Sequence, residues 1–246
     1  MVERLDQPEL DALWDFDDPV GSAERFATAA AEPDRAELLR AELETQRARA
    51  LGLQGRFAEA DALLASLEPA TGTLQVRILL ERGRLRNTEG RTAEATELLE
   101  AALHAARRED EVFLAVDAAH MLAITDPGHG EQWTEEADAD LAQTADPRTL
   151  RWRVALRNNR GWALLDAGEP QAALREFERA REAAVEYGTA DQRFAARWAV
   201  GRGLRAAGRG DEALAVQRRL AVERPGDPHV DAEIAALTGA APTIEA

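Results

Sequence analysis

The sequence predicts an all-α fold, an α-α superhelix in which antiparallel helix pairs stack into a solenoid. Three observations predict it. Aromatics are few, β-branched residues are sparse, and Ala, Leu, Glu and Arg dominate; that mixture suits helix and offers little to a sheet. A turn glycine recurs at Gly55, Gly90, Gly168 and Gly208, with separations of 35, 78 and 40, so the long gap holds two periods of 39. Asp18-Pro19 and Asp227-Pro228 flank the repeating region. Each is a helix start in which Asp caps free amides and Pro takes the first helical position, as the end caps of a stack require.

The elements follow in order. The chain of 246 residues reads as one solenoid domain, 1–246, long enough to bury a core without disulfides or metals. Residues 1–35 read as N-terminal capping helices, 36–225 as about five repeats, and 226–246 as a C-terminal capping helix and tail. In the first cap, a helix from Pro19 to Ala31 puts Ala23, Phe26, Ala27 and Ala30 on one face, after Leu10, Leu13, Trp14 and Phe16. The first repeat turns at Gly55 and continues with Phe57, Ala60, Leu64 and Leu67. The second has a small residue at Gly83, the turn at Gly90, then Ala95, Leu99 and Ala102. The third, Phe113 to Ala142, is degenerate: Ala119 takes the small-residue place and Asp126 the turn. The fourth has Gly161, the turn at Gly168, then Ala173, Phe177 and Ala180. The fifth has Gly201, Gly208, Ala213, Leu220 and a terminating Pro225. The last helix places Val230, Ile234 and Leu237 on one face, and Gly239 to Ala246 reads as a frayed tail.

The pattern has a steric logic. A small residue on the first helix lets the second approach closely. The turn glycine supplies the left-handed conformation that ends a helix cheaply. Each pair exposes an apolar face that only the next pair covers.

These residues resemble the tetratricopeptide repeat (TPR), over about residues 41 to 225. The spacing near 40 is similar to the longer variants in bacterial signalling and transcription-activator proteins. The resemblance implies a right-handed solenoid, a non-enzymatic protein-binding scaffold, and a groove lined by the first helix of each pair. One departure recurs: the Leu before the small residue is Arg47, Arg82 and Arg160, which predicts looser packing there. Carried over residue by residue, the position six before the turn gives Arg49, Arg84, His120, Trp162 and Arg202. The position ten before gives Thr45, Leu80, Val116, Asn158 and Trp198; three before come Asn87 and Arg205. Arg recognises carboxylates and Trp gives contact area with few rotamers. The candidate binding residues are therefore Arg49, Arg84, Asn87, His120, Asn158, Trp162, Trp198, Arg202 and Arg205. The bland alternative is that the Trp pack between repeats and the Arg pair with neighbouring Glu. The family's clamp for C-terminal carboxylates uses two Lys, and this chain has no Lys.

Other classes are argued against. The net charge of −16 disfavours nucleic acid as principal ligand. The charge is uneven: Glu109 to Asp146 holds eleven acidic residues and no Lys or Arg, whereas Pro147 to Pro225 holds sixteen Arg against ten acidic residues. The acidic block would attract a basic partner, or the Arg-rich half of a second copy in a homodimer. There are no cysteines, no stretch approaches a membrane span, and Met1 to Pro19 lacks a secretory pattern. The expected setting is the cytoplasm. Of four His, His120 lies three residues after Asp117 on a helix, so the two can share a face, and a metal would need a third ligand. No catalytic site, cofactor or metal is expected. The alternative function is a regulatory module that closes around a small ligand or peptide.

Overall fold

The computed structural model describes residues 5–239. Met1 to Arg4 of the predicted first cap, and residues 240–246 of the predicted tail, lie outside them. The described residues form an all-α repeat fold. The chain divides into two compact units, Met1–Thr144 and Ala145–Ala246.

The first unit begins with the capping helices α1 (Gln7–Leu13) and α2 (Pro19–Ala30). Three helix pairs follow: α3 (Glu37–Leu53) with α4 (Phe57–Ser66), α5 (Gly72–Thr88) with α6 (Thr92–Arg108), and α7 (Val112–Thr125) with α8 (Gly130–Leu141). The second unit contains a short α9 (Pro147–Leu150), then α10 (Trp152–Asp166) with α11 (Pro170–Tyr187), α12 (Ala190–Ala206) with α13 (Gly210–Glu223), and α14 (Pro228–Thr238). Among the described residues, α3 to α8 and α10 to α13 thus form helix pairs.

The Asp-Pro starts act as caps. Asp18 accepts from the Gly21 amide at 2.9 Å, and Asp227 from the His229 and Val230 amides at 3.0 and 3.1 Å. Four turns share one geometry. Gly55, Gly90, Gly168 and Gly208 sit at φ 75, 77, 77 and 76. The next residue's amide donates to the carbonyl five back, as in Arg56 to Leu51 at 3.0 Å and Arg209 to Leu204 at 2.9 Å. At three of them the following Arg also clasps a Glu three residues on: Arg56–Glu59, Arg91–Glu94 and Arg209–Glu212. The third turn differs because Asp126 replaces glycine. There a 3-10 turn, Pro127–His129, forms, and the Asp126 carboxylate accepts from the Trp133 indole at 3.0 Å and faces His129 Nδ1 at 2.9 Å. Those contacts hold its pKa below the ordinary value, the Trp133 hydrogen bond most.

The small residues work as expected. A Cβ on Gly161 would meet the Phe177 ring at 2.4 Å, and one on Gly83 would meet Leu99 at 2.6 Å. Phe26, Leu39 and Leu43 seat the first cap on α3 together with Leu5 and Leu10. In the second unit Phe177, Ala173, Ala199 and Val200 form the centre of the core. Two of the three recurring arginines form ion pairs across elements: Arg82 meets Glu68 at 2.8 Å and Arg160 meets Glu176 at 3.9 Å.

Candidate functional site

The first helices of the first unit carry a polar face. Glu42, Gln46, Arg49 and Leu53 share one side of α3, since a helix repeats every 3.6 residues. Counted from the turn, they align with Arg77, Glu81, Arg84 and Thr88 on α5, and with Phe113, Asp117, His120 and Ile124 on α7. The side chains form a ladder across the helices. Arg77 lies 3.9 Å from Glu42, and Gln46 donates to Glu81 at 3.4 Å. Arg84 meets Glu81 at 3.2 Å and donates to Asp117 at 2.6 Å. Glu42, Gln46, Arg77, Glu81 and Asp117 are all buried.

The N-terminal segment lies against this ladder. The Leu5 amide donates to Glu42 at 2.7 Å, and the Leu5 carbonyl accepts from Arg77 at 3.4 Å. The Trp14 indole donates to Gln46 at 3.1 Å. Trp14 and Phe16 stack with centroids 4.6 Å apart, and the Arg49 guanidinium lies 5.3 and 5.2 Å from the two rings.

The electrostatics separate the two arginines. Burial would lower the pKa of Arg84, but the Asp117 and Glu81 charges outweigh it and raise it. Arg49 is lowered, first by burial and then by the charge of Arg84. Burial would raise Asp117, and the charges of Arg84 and Arg49 hold it below its ordinary value instead. Burial pushes His120 down to about 4, so the ring is neutral near pH 7. Among the described residues, Arg49 forms no ion pair. It borders a cavity of about 160 Å³ together with Leu53, Glu81, Arg84, Leu85, Asn87, Thr88 and Met121.

The corresponding face of the second unit is aromatic. Trp162 stands 5.2 Å from Phe177 and 5.9 Å from Trp198, whose ring lies 5.9 Å from His229. The Trp198 indole donates to the His229 carbonyl at 3.2 Å. Arg202 lies 5.8 Å from the Trp162 ring and 3.1 Å from Glu233. Arg205 grips the same carboxylate at 2.8 and 3.1 Å.

The nine residues singled out by sequence thus fall into two sets. Arg49, Arg84, Asn87 and His120 gather in the first unit, and Asn158, Trp162, Trp198, Arg202 and Arg205 in the second; all nine are partly buried. Arg84, Arg202 and Arg205 are committed to carboxylates of the chain itself. Three residues carried over with them are core instead: Thr45, Leu80 and Val116 are buried to 0%, 1% and 0% exposure, because that register faces the neighbouring helices. Glu42, Gln46, Glu81 and Glu233 were missed. The available signal was the charge alternation at i, i+4 and i+7 on α5, Arg77, Glu81 and Arg84. Among the described residues, no group of three or more His, Cys, Asp or Glu is placed to hold a metal ion, and no helix is long and apolar enough to cross a membrane.

No known family matches the chain, and no curated protein matches it either. Solved structures do. BtubC (BKLC) from P. vanneervenii superposes with a TM-score of 0.63 at 18% identity, covering 95% of this chain and 96% of that one. The nearly identical TPR-like repeats of a Podosopora anserina protein named as a kinesin light chain give 0.57 at 19% identity, covering 76% and 98%. The shared property is the fold: a TPR-like helical repeat.

Proposed function

We propose that this TPR-like helical repeat protein is a non-enzymatic scaffold that binds a protein or peptide segment on the first-helix faces of its units. One observation carries the reading. Where packing alone would take small or aliphatic residues, these faces present Arg49, Asn87, Asn158, Trp162 and Trp198, all with some exposure. Arg and Trp are the side chains that dominate binding hot spots. The fold supports interaction in general, since stacked helix pairs present an extended surface.

The expected partner is a protein or peptide bearing an acidic group, met in the cytoplasm, and the net charge of −16 argues against nucleic acid. A homodimer is a second arrangement that the uneven charge favours, and light scattering of the purified chain tests it. The alternative is a ligand- or peptide-responsive regulatory module, and its small-ligand form needs a pocket. The cavity beside Arg49, about 160 Å³, falls below the roughly 300–1,000 Å³ of such pockets, which favours a segment that inserts one side chain.

Site-specific photo-crosslinking tests the scaffold reading. A crosslinker at Asn87 or Asn158 should capture the partner in cells, and one at the exposed Val185 or Val222 should not. Capture from Val185 and Val222 alone would sink it.

A further inference from the structure

The first unit contains an arginine whose surroundings are incomplete. Arg49 and Arg84 occupy the same register on adjacent helices, and the charge of Arg84 opposes that of Arg49. The local charges sum to zero, with Glu81 and Asp117 balancing the two arginines, but the contacts are uneven. Both carboxylates are in ion-pair contact with Arg84, at 3.2 and 2.6 Å. Among the described residues, Arg49 forms no ion pair and lies over the rings of Trp14 and Phe16. A guanidinium carries a planar fork of donors that matches a carboxylate. Among the described residues, no hydrogen bond from the Arg49 fork or from the Asn87 amide is formed. Both groups border the same cavity.

The remaining wall is apolar: Leu53, Leu85 and Met121. Leu53 is 51% exposed, and Phe16, 59% exposed, lies 5.2 Å from the guanidinium. The volume of about 160 Å³ is near that of a cavity that takes one benzene ring, so it holds a single side chain and not a nucleotide. The two rings also hold the guanidinium in one place before any ligand arrives, so little rotamer entropy is lost on binding.

We infer that this cavity is a carboxylate-reading site. Arg49 and Asn87 receive one carboxylate of a bound segment, and Leu53, Leu85 and Met121 receive the aliphatic carbons beside it. The inference rests on the scaffold reading and narrows the partner. The first unit carries 14 basic against 31 acidic residues, so a run of acidic residues is repelled over the screening length of about 8 Å. The fitting segment has one carboxylate in a neutral or basic context. Its source is either a Glu or Asp side chain or a free C-terminus.

The test uses the full chain and a random nonapeptide library with acetylated N-termini, made once with free and once with amidated C-termini. Wild type should enrich peptides with a single acidic position, and the amidated set decides between side chain and terminus. Arg49→Gln should weaken the selected peptides about 10–100-fold, the value of a lost charge-assisted contact. Arg49→Lys should restore part of it. Asn87→Asp, which places a carboxylate of the chain's own beside Arg49, should abolish selection in a folded protein. Enriched C-terminally amidated peptides without an acidic residue, or equal binding to Arg49→Gln, would overturn the site and leave the scaffold standing. Failure to enrich any peptide would overturn both.

Discussion

The two units solve one problem differently. Counted from the turns, the same stripe reads Arg49, Arg84, His120 in the first unit and Trp162, Arg202, Glu233 in the second. In the second unit the cation stands between an aromatic ring and a carboxylate, and each neighbour satisfies it. In the first unit two cations are adjacent, and the carboxylates that neutralise them come from the next stripe, at Glu81 and Asp117. One Arg is served and the other is left. A register that packs complementary groups closes a face, and a register that packs like charges keeps one open. Residues that violate local consistency are where function is expected.

The largest break in this comparison comes from removing the carboxylates. Asp117→Ala leaves Arg84 and Arg49 buried with half their counter-charge and should cost about 3 kcal/mol or more by urea unfolding. Glu233→Ala frees Arg202 and Arg205, which are 27% and 34% exposed and can hydrate, so it should cost about 1 kcal/mol. Equal losses would remove the distinction between a buried ladder and a half-exposed one.

Gly161→Ala probes packing on the second unit alone. The new methyl meets Phe177, a ring buried to 0% exposure, so the expected loss is about 2 kcal/mol. The matching place in the third repeat is already Ala119, also buried to 0%.

Acid should act through the first unit. The folded chain keeps His120 neutral down to about pH 4, while the unfolded chain takes up the proton near 6.5. The contribution of His120 to stability is therefore full above pH 6.5 and is lost as the pH drops from there to about 4. Asp117, held below 3.8, adds its own loss only at lower pH. His120→Gln should flatten the first limb in urea midpoints taken from pH 7 to 4, and an unchanged limb would show that another group carries it. The smallest effect belongs to the turn clasps. Arg91→Ala and Arg209→Ala remove fully exposed ion pairs and should leave the urea midpoint unmoved in both units.

The fold was legible because its signals are local. A glycine that must adopt positive φ, a small residue seven before it, and Asp-Pro at a helix start each act within a few residues. The face of the first helices was legible as a set of positions. Its pairing was not, because pairing depends on how far each helix is offset against the next. Asp117 serves Arg84 from a stripe one turn away, and Thr45 and Leu80 turn inward at positions that in the second unit hold Asn158 and Trp198. The contacts of Arg49 were invisible for another reason. They depend on a chain segment that folds back across 33 residues to bring Phe16 onto it, and no periodicity encodes that.

That same segment changes how the first unit comes apart. Most hydrogen bonds between elements join neighbours in the stack, and such a stack can lose its end pair without disturbing the rest. The bond from Arg77 to the Leu5 carbonyl spans 72 residues. It ties the start of the chain to the third helix beyond the cap, with α3 enclosed in the loop. Closing so long a loop is slow relative to zipping a helix pair. The first pair therefore cannot fray alone while the tie holds, and refolding of this unit completes only when its beginning returns to meet α5.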